Sequence, residues 1–342
     1  MSDTLHVGVM GAGSIGCFVG GKLVSAGETK VTFIGRDTKR IELEQHGLSI
    51  KDSNNPTLTI PADQFTFTSD INALKSCHIV LCCVKSAQTR EVGQQLAEVL
   101  APDALVISLQ NGLGNARILT EELPNHTVLA CVVGFNVVTK EEGLYHCGMP
   151  GDLLMESSEH PRLQEFLQQC AAGQLPAKAA EDIKPDQWTK LLVNLNNAVS
   201  ALTGMPTRQM LLTPDCRKLI AAIVDEALQV LKAAGIKPAK LRGVPPSWMP
   251  PILRMPTFLV RLVTGAQLKV DPEARSSMWE DLQRNRLTEV DFLNGELVQL
   301  AESLGQDAPL NRRITELIHK AEQANQGSPN ISPKWLWQLL HS

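Results

Sequence analysis

The sequence predicts an α/β domain built on a parallel sheet, followed by a mainly α-helical domain. Three observations point there. Short β-branched apolar runs alternate with helical patterns through the first half, a glycine-rich turn follows the first of them, and from about Asp182 a 3.6-residue period takes over. With 342 residues, 43% of them hydrophobic, the chain is long enough for two domains and a sizeable core.

The expected strands are "LHVGVM", "KVTFIG", "HIVLCCV", "ALVISL" and "TVLACVVGF", each closed by glycine or polar residues. Helical patterns between them imply parallel strands covered by helices. Strand signals fade after "DLLMES", so the division is expected between residues 1–182 and 183–342. "DQWTKLLVNLNNAVSALTG" opens the helical half, and a proline-rich insert at 243–275, which begins "GVPPSWMPPILRMPTF", interrupts it. A shorter proline-containing stretch, "NQGSPNISPKWLWQLL", closes the chain.

Composition excludes several classes of function. The formal net charge is −4 with no lysine-rich block, which argues against a nucleic-acid partner. The first apolar run has no basic leader and ends in glycines, so it reads as a buried strand and not a signal peptide; the expected location is the cytoplasm. The later apolar stretch "PPILRMPTFLVRLVTGAQLKV" carries Arg254, Arg261 and Pro256, a combination a membrane span rarely tolerates, so no membrane association is expected. The 8 cysteines lack metal-type pairing, and the neighbours Cys82 and Cys83 sit in a strand whose successive side chains point to opposite faces. Reduced structural thiols and no metal site are expected.

Gly11, Gly13 and Gly16 form G-x-G-x-x-G between an expected strand and an expected helix. The first permits a tight turn, the second lets a pyrophosphate approach the backbone, and the third lets the helix pack on the strand. Ser14 and Ile15 complete the turn at the helix amino end, where free N–H groups attract phosphate. This is the Rossmann-type dinucleotide signature. In "VTFIGRD" the second strand ends on Arg36, whose guanidinium suits the 2′-phosphate of NADP(H). Asp37, one residue on, could instead serve the ribose hydroxyl of NAD, and Arg36 could be a solvated loop cation.

In the helical half, a wheel drawn at about 100° per residue gathers Trp188, Leu191, Leu192, Leu195, Val199 and Leu202 on one side. Lys190, Asn194 and Asn197 lie within about 60° of one another on the other side. Such a stripe is either a polar site or an ordinary solvated helix face.

The set "GAGSIG", "VKSAQT", "LQNGLGN", "WTKLLVN" and "SSMWEDLQRNRLTEVDFLNGEL", in that order along nearly the whole chain, closely resembles the ketopantoate reductase (2-dehydropantoate 2-reductase) family. The resemblance implies reduction of a 2-oxo acid, foremost ketopantoate to D-pantoate on the route to coenzyme A, with NADPH as reductant. It also implies roles. Lys85 and Gln88 would sit beside the nicotinamide and phosphate end of the cofactor, and Asn111 would meet cofactor and substrate at the cleft between the domains. Lys190 would be the general acid. Glu289 would orient the substrate oxygen beside the cofactor, Asn194 would hold substrate, and Ser277 would bond its carboxylate. The family pattern has a second asparagine eight residues after the lysine, where this chain has Ala198; Asn197 is its candidate replacement.

Two rival readings are a related hydroxy-acid or opine-type dehydrogenase and an NADPH-sensing protein without turnover. A sensor needs neither Lys190 nor Glu289. The expected partners are thus a small 2-oxo acid and, as the assembly left open, a second copy of the chain.

Overall fold

The computed structural model describes residues 4–52, 56–241, 243–263 and 274–342. They form two compact units, Met1–Ile183 and Lys184–Ser342. Part of the proline-rich insert, residues 264–273, lies outside the described residues.

The first unit begins with β1 (Leu5–Met10), α1 (Ser14–Ser25), β2 (Thr29–Ile34), α2 (Asp37–His46), β3 (Leu48–Asp52), β4 (Leu58–Ile60) and β5 (Thr66–Thr68). It continues through β6 (Ile79–Cys82), α3 (Thr89–Val99), β7 (Leu105–Ser108), α4 (Asn115–Glu122) and β8 (Thr127–Val133). It closes with β9 (Asn136–Thr139), β10 (Leu144–Met149), β11 (Leu153–Glu156), α5 (Pro161–Ala172) and β12 (Ala177–Ala180). An 8-stranded sheet runs in the order β12-β11-β8-β7-β6-β1-β2-β5. The five strands read from sequence are β1, β2, β6, β7 and β8, and they pair in parallel.

Both faces of this sheet are covered, which is why its strands read as unbroken apolar runs. Ile79 and Leu81 of β6 pack in a core with Phe18, Leu23 and Phe166. Val80 and Cys82 pack in the other, with Leu96, Leu119 and Leu123. Cys83 packs on the opposite side from Cys82, and all eight cysteines are free thiols.

Two features depart from the expected all-parallel sheet. β11 runs antiparallel to β8, and β12 adds beyond it in parallel. A separate 4-stranded sheet, β4-β3-β10-β9, packs on α1. The contact depends on small residues: a Cβ on Gly21 would stand 2.3 Å from Leu48 Cδ2, and one on Gly20 would stand 2.4 Å from the Phe33 ring. The helix is thus held between two sheets.

The second unit is helical: α6 (Lys184–Asn194), α7 (Asn196–Thr203), α8 (Thr207–Leu212), α9 (Pro214–Ala233), α10 (Met249–Arg254) and α11 (Thr257–Val263), then α12 (Ser277–Gln283), α13 (Asn294–Ser303), α14 (Pro309–Ala324) and α15 (Pro333–Leu340). Instead of only interrupting the helical run, the described part of the insert carries two short helices. Arg217 of α9 holds them down, donating to the carbonyl oxygens of Leu253 and Met255 and to Thr257 Oγ1. No described helix is long and apolar enough to cross a membrane, and no metal-type cluster exists among the described residues.

Candidate active site

In the first unit, β1 lies between β2 and β6, so successive connections leave in opposite directions at its carboxyl end. In open α/β sheets that is where ligands bind. Gly11 stands there with φ +106°, and a Cβ on it would come within 2.8 Å of the Cys83 and Val84 backbone. Gly16 is closed as well: its Cβ would lie 2.3 Å from the Gly11 carbonyl oxygen and 2.8 Å from Val9 Cγ1. Gly13 differs, because nothing lies within 4 Å of a Cβ built on it. It caps α1 without a side-chain hydrogen bond, and no acidic residue occupies the first turn of Ser14, Ile15 and Gly16. An open glycine at an uncapped helix amino end fits a pyrophosphate.

Arg36 caps α2 after the end of β2. It is exposed, and among the described residues its guanidinium has no ion-pair partner. Asp37, the rival NAD ligand, is engaged: Arg40 Nε lies 3.3 Å from its Oδ1, and Ser69 Oγ donates to the same oxygen at 3.4 Å. Arg40, which the sequence reading passed over, also pairs with Glu44 at 2.8 Å.

Two further loops leave the same edge of the sheet. After β6, half-buried Lys85 precedes the short 3-10 turn Ser86–Gln88, and exposed Gln88 leads into α3. After β7, half-buried Asn111 is followed by Gly112 with φ +82° and by Gly114, which caps α4 with φ +84°.

In the second unit the expected single helix is interrupted at Leu195, so Lys190 and Asn194 lie on α6 and Asn197 on the first turn of α7. The apolar stripe is buried as the wheel predicts, from Trp188 at 8% exposed to Leu202 at 0%. Lys190 is half-buried, and burial holds its ammonium below the ordinary lysine pKa of 10.5. Among the described residues no hydrogen bond or ion pair compensates that burial. Asn194 and Asn197 are half-buried and Ala198 fully buried.

The residue that ties this strip to α12 is Ser276, which the reading of "SSMWED" also missed. It is buried, its hydroxyl donating to the Asn197 carbonyl at 3.0 Å and accepting from the Trp279 N–H at 3.2 Å. Ser277, the residue named from sequence, is exposed at the first position of the helix. Both serines match the spacing of a helix cap, and only packing selects the first. Glu289 is 6% exposed at the start of the 3-10 turn Val290–Phe292. The turn is fixed on either side, with the Thr288 N–H donating to Glu322 Oε1 at 2.7 Å and the Phe292 N–H to the Glu289 carbonyl at 3.1 Å.

Comparison with known proteins agrees with both units. The family model "Ketopantoate reductase PanE/ApbA" matches residues 7–159, and "Ketopantoate reductase PanE/ApbA C terminal" matches residues 182–322. A 2-dehydropantoate 2-reductase of Archaeoglobus fulgidus is 29% identical over 325 residues, which span 93% of this chain and 98% of that protein. The crystal structure of a PanE/ApbA family ketopantoate reductase from Ralstonia eutropha JMP134 superposes with a TM-score of 0.79 at 28% identity, covering 94% of this chain and 100% of the other. The fold is shared more widely: a D-mandelate dehydrogenase solved with NADH and anilino(oxo)acetate has a TM-score of 0.73 at 20% identity, over 94% of this chain and 99% of that one. Since the two family models together take in the glycine turn and the Lys190 strip in their expected order, the chain belongs to the ketopantoate reductase family.

Proposed function

We propose that the protein reduces the keto group of a 2-oxo acid with NADPH, and that ketopantoate, converted to D-pantoate on the route to coenzyme A, is its substrate. The observation that carries this reading is the half-buried Lys190, its pKa lowered by desolvation and its ammonium protons without a partner among the described residues. A lowered pKa makes this ammonium a readier proton donor than an ordinary lysine.

The residues suit a nicotinamide dinucleotide. Gly11, Gly13, Ser14, Ile15 and Gly16 would hold the pyrophosphate, Arg36 the 2′-phosphate, and Lys85, Gln88 and Asn111 the nicotinamide half. When bound, the reduced nicotinamide would supply the hydride for the carbonyl carbon. As negative charge builds on the carbonyl oxygen, Lys190 Nζ stabilises it and donates the proton. Glu289, held at the start of its turn, would orient the substrate oxygen and contact the cofactor. Asn194 and Asn197 hold the polar groups of the acid, and Ser277 bonds its carboxylate.

NADPH oxidation measured against a panel of 2-oxo acids tests the proposal. Fastest turnover with ketopantoate is expected. Preference for another acid would move the protein to the second reading, a related hydroxy-acid dehydrogenase, which Ala198 in place of the family amide favours.

A further inference from the structure

Beneath the two loops that carry Lys85 and Asn111 lies a set of polar side chains that the roles above leave unused. Ser86, Thr89, Ser108, Gln110 and Asn115 are each 8% exposed or less. Asn115, at the start of α4, donates through Nδ2 to the Asn111 carbonyl at 2.7 Å and to Ser86 Oγ at 3.1 Å. Its Oδ1 accepts from Thr89 Oγ1 at 2.8 Å. Ser86 Oγ also donates to the Asn111 carbonyl, at 3.2 Å. Gln110 Nε2 reaches Thr89 Oγ1 at 2.7 Å and the Val84 carbonyl at 3.1 Å, while its Oε1 accepts from Ser108 Oγ at 3.1 Å.

Thr89 Oγ1, with one proton, lies 2.8 Å from both Asn115 Oδ1 and the Ser86 carbonyl and donates to one at a time, so it is the Asn111 carbonyl that fixes the Asn115 amide. Turned over, it would set its oxygen against the Asn111 carbonyl, acceptor against acceptor. The helices α3 and α4 need no such device to stay docked, because Val92, Leu96, Leu119 and Leu123 already bury an apolar face there. Apolar contact is non-directional, whereas hydrogen bonds set position. What the polar set adds is registration: one side chain grips the loop after β6 and the loop after β7 at once.

We infer that Asn115 is a positioning residue that clasps the Lys85 loop to the Asn111 loop and thereby shapes the nicotinamide end of the cofactor site, with Thr89 as its support. The inference rests on the proposal that Lys85 and Asn111 meet the cofactor. Pinning the Asn111 carbonyl inward sets the peptide that leads into Gly112, and holding Ser86 sets the residue that follows Lys85. Loosening the clasp leaves the glycine turn and Arg36 intact, so the damage is confined to one end of the dinucleotide.

The test is the dissociation constant for NADPH, measured by fluorescence titration well below the unfolding midpoint, together with kcat and KM. Asn115→Asp keeps the shape and replaces the two N–H donors with an oxygen facing the Asn111 carbonyl. It is expected to weaken NADPH binding about tenfold or more, as loss of a buried hydrogen-bonding pair does. Thr89→Val, a milder change, is expected to weaken it about threefold to tenfold, with Thr89→Ser restoring it. If Asn115→Asp does not fold, the Thr89 pair carries the test. A lowered unfolding midpoint with unchanged NADPH affinity in the folded variants would overturn the clasp and leave these residues merely structural. Lys85→Ala and Asn111→Ala, run alongside, separate the two failures. Lost affinity in these two with none lost in Asn115→Asp or Thr89→Val rejects the clasp alone, whereas unchanged affinity in all four rejects the cofactor reading and the clasp with it.

Discussion

The carbonyl oxygen of Gly11 lies 2.3 Å from where a β-carbon on Gly16 would stand. The third glycine of the turn is therefore fixed by packing, while the second, Gly13, has open space above it. The two positions should fail differently. Gly16→Ala is expected to destabilise the fold by about 1–3 kcal/mol through overpacking, seen as a lower unfolding midpoint. Gly13→Ala is expected to leave the midpoint unchanged, since φ is −88° there, and to weaken NADPH binding on the order of tenfold by blocking backbone approach. Loss of stability in Gly13→Ala with normal binding would reverse the assignment.

Arg36 should decide between the two nicotinamide cofactors. A charge-assisted hydrogen bond to a phosphate contributes about 1.5–3 kcal/mol, so Arg36→Ala should reduce the ratio of kcat/KM for NADPH over NADH by about 10- to 100-fold. Equal use of NADPH and NADH by the unaltered protein would count against the role given to Arg36.

Lys190→Ala should lower kcat by about 10² to 10⁴, the usual contribution of a positioned acid, with little change in NADPH affinity. The pH profile supplies a second check. The acid works only while protonated, so kcat/KM should fall as pH rises through the Lys190 pKa. Because burial lowers that pKa, the alkaline limb should lie below 10.5. Lys190→Arg keeps the charge but cannot release its proton, so the variant should be slow and lack that limb.

Asn194 and Asn197 are to be compared side by side. If both hold substrate, alanine at either position should weaken kcat/KM for ketopantoate by about 1 kcal/mol or more, because a buried polar partner is left unpaired. A loss confined to Asn194→Ala would mean that the second amide is absent and would strengthen the hydroxy-acid dehydrogenase reading.

The helix break at Leu195 shows where reading the sequence stops. An ideal wheel carried from Lys190 to Asn197 assumes a continuous helix, yet α6 ends at Asn194 and α7 begins at Asn196. The apolar stripe survives the break because burial of each leucine depends on a broad face, whereas the direction of an amide depends on the local phase. For the same reason "SSMWED" offers two caps, and only the packing of α12 against α7 buries Ser276 and leaves Ser277 outside.

The smaller sheet was illegible for a different reason. Its strands are short and partly exposed, and β3 finds its partner β10 far along the chain, Ser49 opposite Leu144. β12 reads "AKAA", weak in β propensity, and exists as an added edge beside β11.

By itself the sequence determined what local chemistry dictates: the strands of the parallel sheet, because both of their faces are apolar, the glycine turn, because its G-x-G-x-x-G spacing follows directly on a strand, and the identity of the polar residues on the Lys190 strip. Tertiary structure decided what depends on residues distant in the chain. Asp37 is engaged by Arg40 and Ser69, Lys190 is desolvated, and Asn115 reaches two loops at once. Spacing along a chain records local geometry, and the environment of a charge or the partner of an amide is set only when the fold brings separate segments together.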